Sequence, residues 1–127
     1  QAAVEGMEKK GWGRIVNISS VWGKISKTGR AAYSASKFAL DGLTVALSAE
    51  YSSRGIMANC VAPGFIDTSL TRQMLILDEI TDLVSTVPVA RLGNVSEIAS
   101  LVLWLSSVDN TFTTGQNIAI DGGFTRV

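Results

Sequence analysis

The chain has 127 residues, 46% of them apolar, with 11 basic and 11 acidic side chains and no histidine. That balance argues against a nucleic-acid or polyanion binder. The missing histidine removes the commonest general base and metal ligand, so no metal site is expected and acid/base work falls to Tyr, Lys, Asp or Glu.

The residues through Lys10 read as the last turns of a helix already under way, with Lys9 and Lys10 suited to its C-terminal dipole and Gly11 to its stop. An N-terminal part is therefore expected before Gln1. Arg14 to Ser19 is a β-rich run, read as a buried parallel strand ending at Ser19 and Ser20. Val21 to Arg30 reads as a loop. From Ala31 to about Ser53 runs the longest helical pattern, with Leu40, Leu43, Leu47 and Tyr51 on one face. Ala35, Ala39, Gly42 and Ala46 form a small-residue stripe beside it, which admits a close backbone, either the sheet of the same subunit or a helix of a partner.

Ile56 to Ala62 is a second buried strand, broken by Pro63 and Gly64. Within it, Asn59 reads first as a satisfied structural hydrogen-bonder, and Cys60, the lone cysteine, as a small buried hydrophobe that forms no internal disulfide. A reducing, cytoplasmic compartment is expected from that usage. Thr68 to about Val87 resembles one or two short helices, with an apolar patch from Met74 to Leu77 that suits core, a subunit contact or a greasy substrate. Asn94 followed by Glu97 opens a helix with Ile98, Leu101, Val102 and Leu105 inward. Asn117 to Ile120 is a third strand, and Asp121, Gly122 and Gly123 a turn. Strands alternating with helices of this length predict one α/β domain with a parallel sheet. No apolar stretch approaches the roughly 20 residues that span a bilayer, so no membrane partner is expected.

The chemistry concentrates at Tyr33, Lys37 and Ser20. Residues at i and i+4 share a helical face, so the Tyr33 phenol and the Lys37 ammonium meet one site. A cation a few ångströms from a phenol favours its phenolate and makes it a usable acid or base. A serine hydroxyl arriving from a separate strand can hold a carbonyl or alcohol oxygen beside it. Trp22, two residues on, is a candidate wall of that pocket.

Four ordered segments resemble the C-terminal half of a short-chain dehydrogenase/reductase. They are Gly13 to Ser20, the Tyr-Ser-Ala-Ser-Lys block from Tyr33 to Lys37, Asn-Cys-Val-Ala-Pro-Gly from Asn59 to Gly64, and Ile120 to Gly123. The likeness is greatest to the 3-oxoacyl-(acyl-carrier-protein) reductase-like subgroup. It implies a Rossmann-like doubly wound parallel sheet of which this chain supplies the C-terminal part, about three strands with flanking helices. It also implies hydride exchange between NADP or NAD and a small carbonyl or alcohol substrate. Carried over by residue, Tyr33 is the acid/base, Lys37 assists it and bonds the cofactor ribose, and Ser20 rather than Ser19 orients the substrate oxygen. Pro63, Gly64 and the backbone of Ile66 would face the nicotinamide, and Thr68 its carboxamide or the pyrophosphate. A homodimer or homotetramer paired through the Ala31 to Ser53 helix is the expected assembly.

The family's glycine-rich pyrophosphate turn, its Asn-Asn-Ala-Gly strand end and the residue that selects NADP or NAD find no counterpart in these residues. Residues 14–19 should then form an unpaired sheet edge, and the isolated chain is expected to be inactive and aggregation-prone. Two rival readings use the same motifs. One is a nucleotide-sugar epimerase or dehydratase, which usually carries a longer C-terminal substrate domain; the other is a non-catalytic protein on this fold.

Overall fold

The computed structural model describes residues 2–74 and 76–127. Helix α1 (Ala2–Lys10) leads into β1 (Gly13–Ile18), α2 (Ala31–Tyr51) and β2 (Ile56–Pro63). Two short helices follow, α3 (Ser69–Met74) and α4 (Leu77–Ser85), then α5 (Val95–Ser106) and β3 (Asn117–Ile120). The sheet order is β1-β2-β3, both pairings parallel, with Gly13 opposite Ile56 and Pro63 opposite Ile120. Every strand therefore delivers its carboxyl end to the same edge, where open parallel sheets place ligands. No described helix is long and apolar enough to cross a membrane.

β2 is the centre of the core because it is paired on both sides and covered on both faces. Ala58, Cys60, Val61 and Ala62 are wholly buried. Burial raises the Cys60 thiol's pKa, which suits an inert core residue. β2 runs one residue past the expected break, through Pro63, because Gly64 N–H continues the ladder to Ile120 O at 3.0 Å. At the opposite edge Gly55 has φ +81°, and a Cβ there would lie 2.1 Å from Gly11 O, so this turn requires glycine. Arg14 closes the same edge by donating to Gly55 O and Asn110 O at 3.2 and 2.6 Å.

The docking of α2 corrects the leucine face expected from the sequence. The helix meets the sheet through short polar side chains: Asn17 Nδ2 donates to Thr44 Oγ1 at 2.9 Å, and Ser19 Oγ donates to Lys37 O at 3.0 Å. Thr114 Oγ1 donates to Ser48 Oγ at 2.9 Å, and Ser34 is hydrogen-bonded to Ser26 at 2.8 Å. Hydroxyls permit this close approach because each buried polar atom finds a partner. Leu43 is consequently turned outward, 48% exposed, with Phe38 and Val45. The Ala35, Ala39, Gly42, Ala46 stripe is exposed as well, so of its two expected neighbours the sheet is excluded.

The Val21 to Arg30 loop opens with a 3₁₀ turn, Val21–Gly23, that the sequence reading missed. The Ser20 hydroxyl caps it by accepting from Trp22 N–H at 3.3 Å. Leu75, in the apolar patch, lies outside the described residues, as do the side chains of Met74 and Leu77; Ile76 is exposed. At the start of α5 the Asn94 N–H donates to Glu97 Oε2 at 2.7 Å, completing the expected cap, and Leu105 is buried. Asn59 donates to Thr113 O and accepts from Gln116 N–H, which is the structural role expected of it.

Candidate active site

Strand β1 stops at Ile18, one residue short of the expected Ser19, and the two adjacent serines that follow it do different work. Ser19 points at α2 and spends its hydroxyl hydrogen on the Lys37 carbonyl. Among the described residues Ser20 Oγ only accepts, from Trp22 N–H, so its own hydrogen stays available to an oxygen placed before it.

Tyr33 and Lys37 lie in the first two turns of α2. Lys37 Nζ donates to Ile18 O, the last carbonyl of β1, at 3.1 Å and stands 5.7 Å from the centroid of the Tyr33 ring. Tyr33 is 42% exposed, and among the described residues its hydroxyl has no hydrogen-bond partner. The Ser19–Lys37 and Lys37–Ile18 bonds thus fasten the Tyr33–Lys37 face of the helix to the strand end that carries Ser20.

Pro63 and Gly64 end β2 on the same edge. A Cβ at Gly64 would fall 2.7 Å from Asp121 Cα, so the glycine lets the two strand exits touch. Ile66 pairs with Gly93 in an isolated parallel bridge, and its carbonyl accepts from Thr71 Oγ1 at 2.8 Å. Thr68 Oγ1 accepts from Thr71 N–H at 3.1 Å and is engaged at the start of α3. Asp121 holds the final turn through Gly123 N–H and both groups of Thr125. Burial pushes its carboxyl up, but the Thr125 and Gly123 donors outweigh that and leave it below the usual range.

Beside these strand ends lies a cavity of about 250 Å³, with Trp22, Gly64, Phe65 and Ile66 in its lining. Trp22 and Phe65 of that lining pack edge to face with each other and with Phe124 behind them, with centroids 4.8–6.2 Å apart. Trp22 lines this cavity, whereas Ser20, Tyr33 and Lys37 are not among the described residues of its lining. Phe65, Phe124 and the loop cations Lys27 and Arg30 were missed; only the position of Phe65 directly after Pro63 and Gly64 could have signalled one of them. Among the described residues no cluster of acidic or cysteine side chains could hold a metal ion.

A family model described as enoyl-(acyl carrier protein) reductase matches residues 1–125. The acetoacetyl-CoA reductase of Cupriavidus necator is 43% identical over 94% of this chain and 48% of its own length. The 3-oxoacyl-[acyl-carrier-protein] reductase FabG of Pseudomonas aeruginosa is 42% identical over 97% of this chain and 49% of its own. The solved structure of a gluconate 5-dehydrogenase from Burkholderia cenocepacia, in complex with NADP and tartrate, superposes with a TM-score of 0.93. Its sequence is 34% identical, and the match covers all of this chain and 50% of that one. The chain spans about half the length of the curated relatives it matches. From the serine-ended strand to the tyrosine–lysine helix face docked against it, the chain belongs to the short-chain dehydrogenase/reductase family.

Proposed function

We propose that this chain is the C-terminal portion of a single Rossmann-type domain, the part bearing the acid/base residues of an oxidoreductase that interconverts a carbonyl and a secondary alcohol. The carrying observation is Lys37, whose ammonium stands beside the Tyr33 ring while bonded to the strand end that bears Ser20. Two facts support the partial-domain reading: the outer edge of β1 is paired with no described strand, and the relatives are twice as long. Reduction of a 3-oxoacyl thioester is the favoured reaction, because the named relatives are reductases of such substrates.

In reduction, Tyr33 gives its phenolic proton to the substrate oxygen, and Ser20 donates a hydrogen bond to the same atom. Lys37 offsets the negative charge that develops on the phenol as its proton leaves. In oxidation the same groups run in reverse. The hydride would come from NADPH or NADH in reduction and pass to NADP or NAD in oxidation. Lys37 fits that cofactor: it uses one of three ammonium hydrogens on Ile18 O, which leaves donors for ribose hydroxyls. Tyr33, Pro63, Gly64, Ile66 and Thr68 complete the cofactor contacts, Thr68 through what its bonds to Thr71 leave free.

Assembly is proposed to be a homodimer or homotetramer in which α2 pairs with its copy, its exposed stripe from Ala35 to Ala46 giving the close approach. The free, buried Cys60 suits a cytoplasmic setting.

The deciding experiment is Tyr33→Phe in the complete enzyme that contains this chain. Because the hydroxyl has no partner among the described residues, stability should hold, while kcat falls about 10²–10⁴-fold. A variant that kept the wild-type kcat would remove Tyr33 from the acid/base role.

A further inference from the structure

We infer that Lys27 and Arg30 form an anion-recognition pair at the mouth of the Trp22–Phe65 cavity, selecting carbonyl substrates that carry a carboxylate or phosphate beyond the reacting carbon. The inference rests on the carbonyl–alcohol reading above. The lining is divided in character: Trp22, Phe65, Ile66 and Leu83 are apolar, and among the described residues Lys27 and Arg30 are its only charged members, with no acidic side chain beside them. An apolar pocket with cations and no anions suits a short carbon chain ending in negative charge.

The pair is placed by backbone rather than by chance. Arg30 N–H donates to Lys27 O at 3.2 Å, closing a four-residue turn whose third residue, Gly29, has φ +78°. That is the conformation of a type II turn, which brings the first and fourth Cα atoms within about 7 Å. The Ser26–Ser34 hydroxyl bond at 2.8 Å fixes the loop to α2, and Lys27 Nζ lies 5.3 Å over the Trp22 ring. Neither cation is in an ion pair among the described residues, whereas Arg54, Arg72 and Arg91 are each held by a carboxylate. Their charge is therefore free for a ligand, and both side chains are exposed and accessible to one.

The cavity is joined to the proposed reacting groups through short stretches of chain. Trp22 N–H is bonded to Ser20 Oγ, and Arg30 precedes Tyr33 by three residues. A guanidinium binds a carboxylate or a phosphate by the same paired hydrogen bonds, so one site recognises either source.

The test compares three compounds with the same reacting ketone: acetoacetate, acetoacetyl-coenzyme A and the uncharged N-acetylcysteamine thioester of acetoacetate. Reduction is measured with NADPH and NADH in the complete enzyme, as wild type and as the Lys27→Gln/Arg30→Gln variant. The wild type should prefer at least one anionic compound in kcat/KM, and the double variant should lose about tenfold or more of that preference, as expected for lost charge-assisted hydrogen bonds. Preference for acetoacetate identifies a carboxylate as the ligand, and preference for the coenzyme A thioester a phosphate. The Lys27→Arg/Arg30→Lys variant should retain the preference, which separates charge recognition from a disturbed loop. If the wild type reduces the neutral thioester and the anion-to-neutral ratio is the same in the double variant, the inference fails while the carbonyl–alcohol reading stands. If none of the three is reduced, both fall.

Discussion

Gly23→Ala tests whether the fit of the 3₁₀ turn against α2 sets the geometry of the site. Gly23 follows Ser20 by three residues, and its N–H donates to Ser20 O at 2.8 Å. Its φ lies outside the left-handed range, so an added methyl group brings a problem of space, not of backbone strain. That methyl would lie 2.5 Å from Ser19 Oγ and 2.9 Å from both the carbonyl carbon and oxygen of Lys37, where ordinary contact begins near 3.4 Å. Turning the Ser19 hydroxyl away relieves the first clash but breaks its bond to Lys37 O, a loss of about 1 kcal/mol. The second clash is with backbone, so α2 must retreat by roughly half an ångström, and overpacking of this kind costs about 1–3 kcal/mol. Together these predict about 2–4 kcal/mol of destabilisation, read as a lowered denaturant midpoint at constant slope. The retreat also carries Tyr33 and Lys37 away from Ser20. Since a displacement near 1 Å can cost about 10²-fold, kcat should fall about tenfold, with KM for the cofactor less affected. A Gly23→Ala enzyme with wild-type midpoint and kcat would refute the claim that this contact positions the site.

Two further substitutions address charge and assembly. Glu97 is held at about 2, well below its ordinary 4.5, first by the Arg91 side chain and then by the Asn94 N–H. A depressed carboxyl stabilises the fold fully above its unfolded value and loses that contribution as pH falls toward 2. Glu97→Gln should therefore be the less stable protein near neutrality, and its unfolding curve should converge on the wild type's between pH 5 and 2; a gap constant across that range would show that the ion pair is not the cause. Gly42 lies mid-stripe on α2 with no atom within 4 Å of an added Cβ. Gly42→Glu should thus leave the subunit intact, even raising helix stability by about 0.5–1 kcal/mol, yet place a charge where two helices would meet. Sedimentation should show a smaller species at equal concentration, and an assembly of unchanged mass would exclude this face.

The fold was largely legible because its punctuation is local. Gly11 and Gly55 mark turns by their positive φ, Asn94 and Glu97 mark a helix start, and uninterrupted apolar runs mark strands buried on both faces. The spacing of Tyr33 and Lys37 was legible for the same reason, since one helical turn is all it requires. What was not legible depends on contacts between distant residues. The leucines of α2 suggested an ordinary amphipathic helix, and nothing local reveals that Asn17 and Thr114 would recruit Thr44 and Ser48 instead. Lys27 and Arg30 looked like ordinary loop charges, because the cavity they border is formed with Gly64 and Leu83 from later in the chain.

The polar docking of α2 has a consequence for catalysis that an aliphatic face would not supply. Apolar contacts are non-directional, so a helix resting on leucines tolerates sliding along the sheet. Hydrogen bonds weaken steeply away from their preferred distance and angle. The bonds of Ser19 to Lys37 O, Asn17 to Thr44 and Thr114 to Ser48 are spaced along the helix and together fix its register and rotation. The direction in which Tyr33 and Lys37 point is inherited from that register. Moreover, because the sheet-facing side needs only short hydroxyls, Phe38, Leu43 and Val45 are released to the outer face, where they remain exposed. One sequence choice therefore aims the proposed acid/base pair and leaves the apolar surface on which the proposed subunit pairing depends.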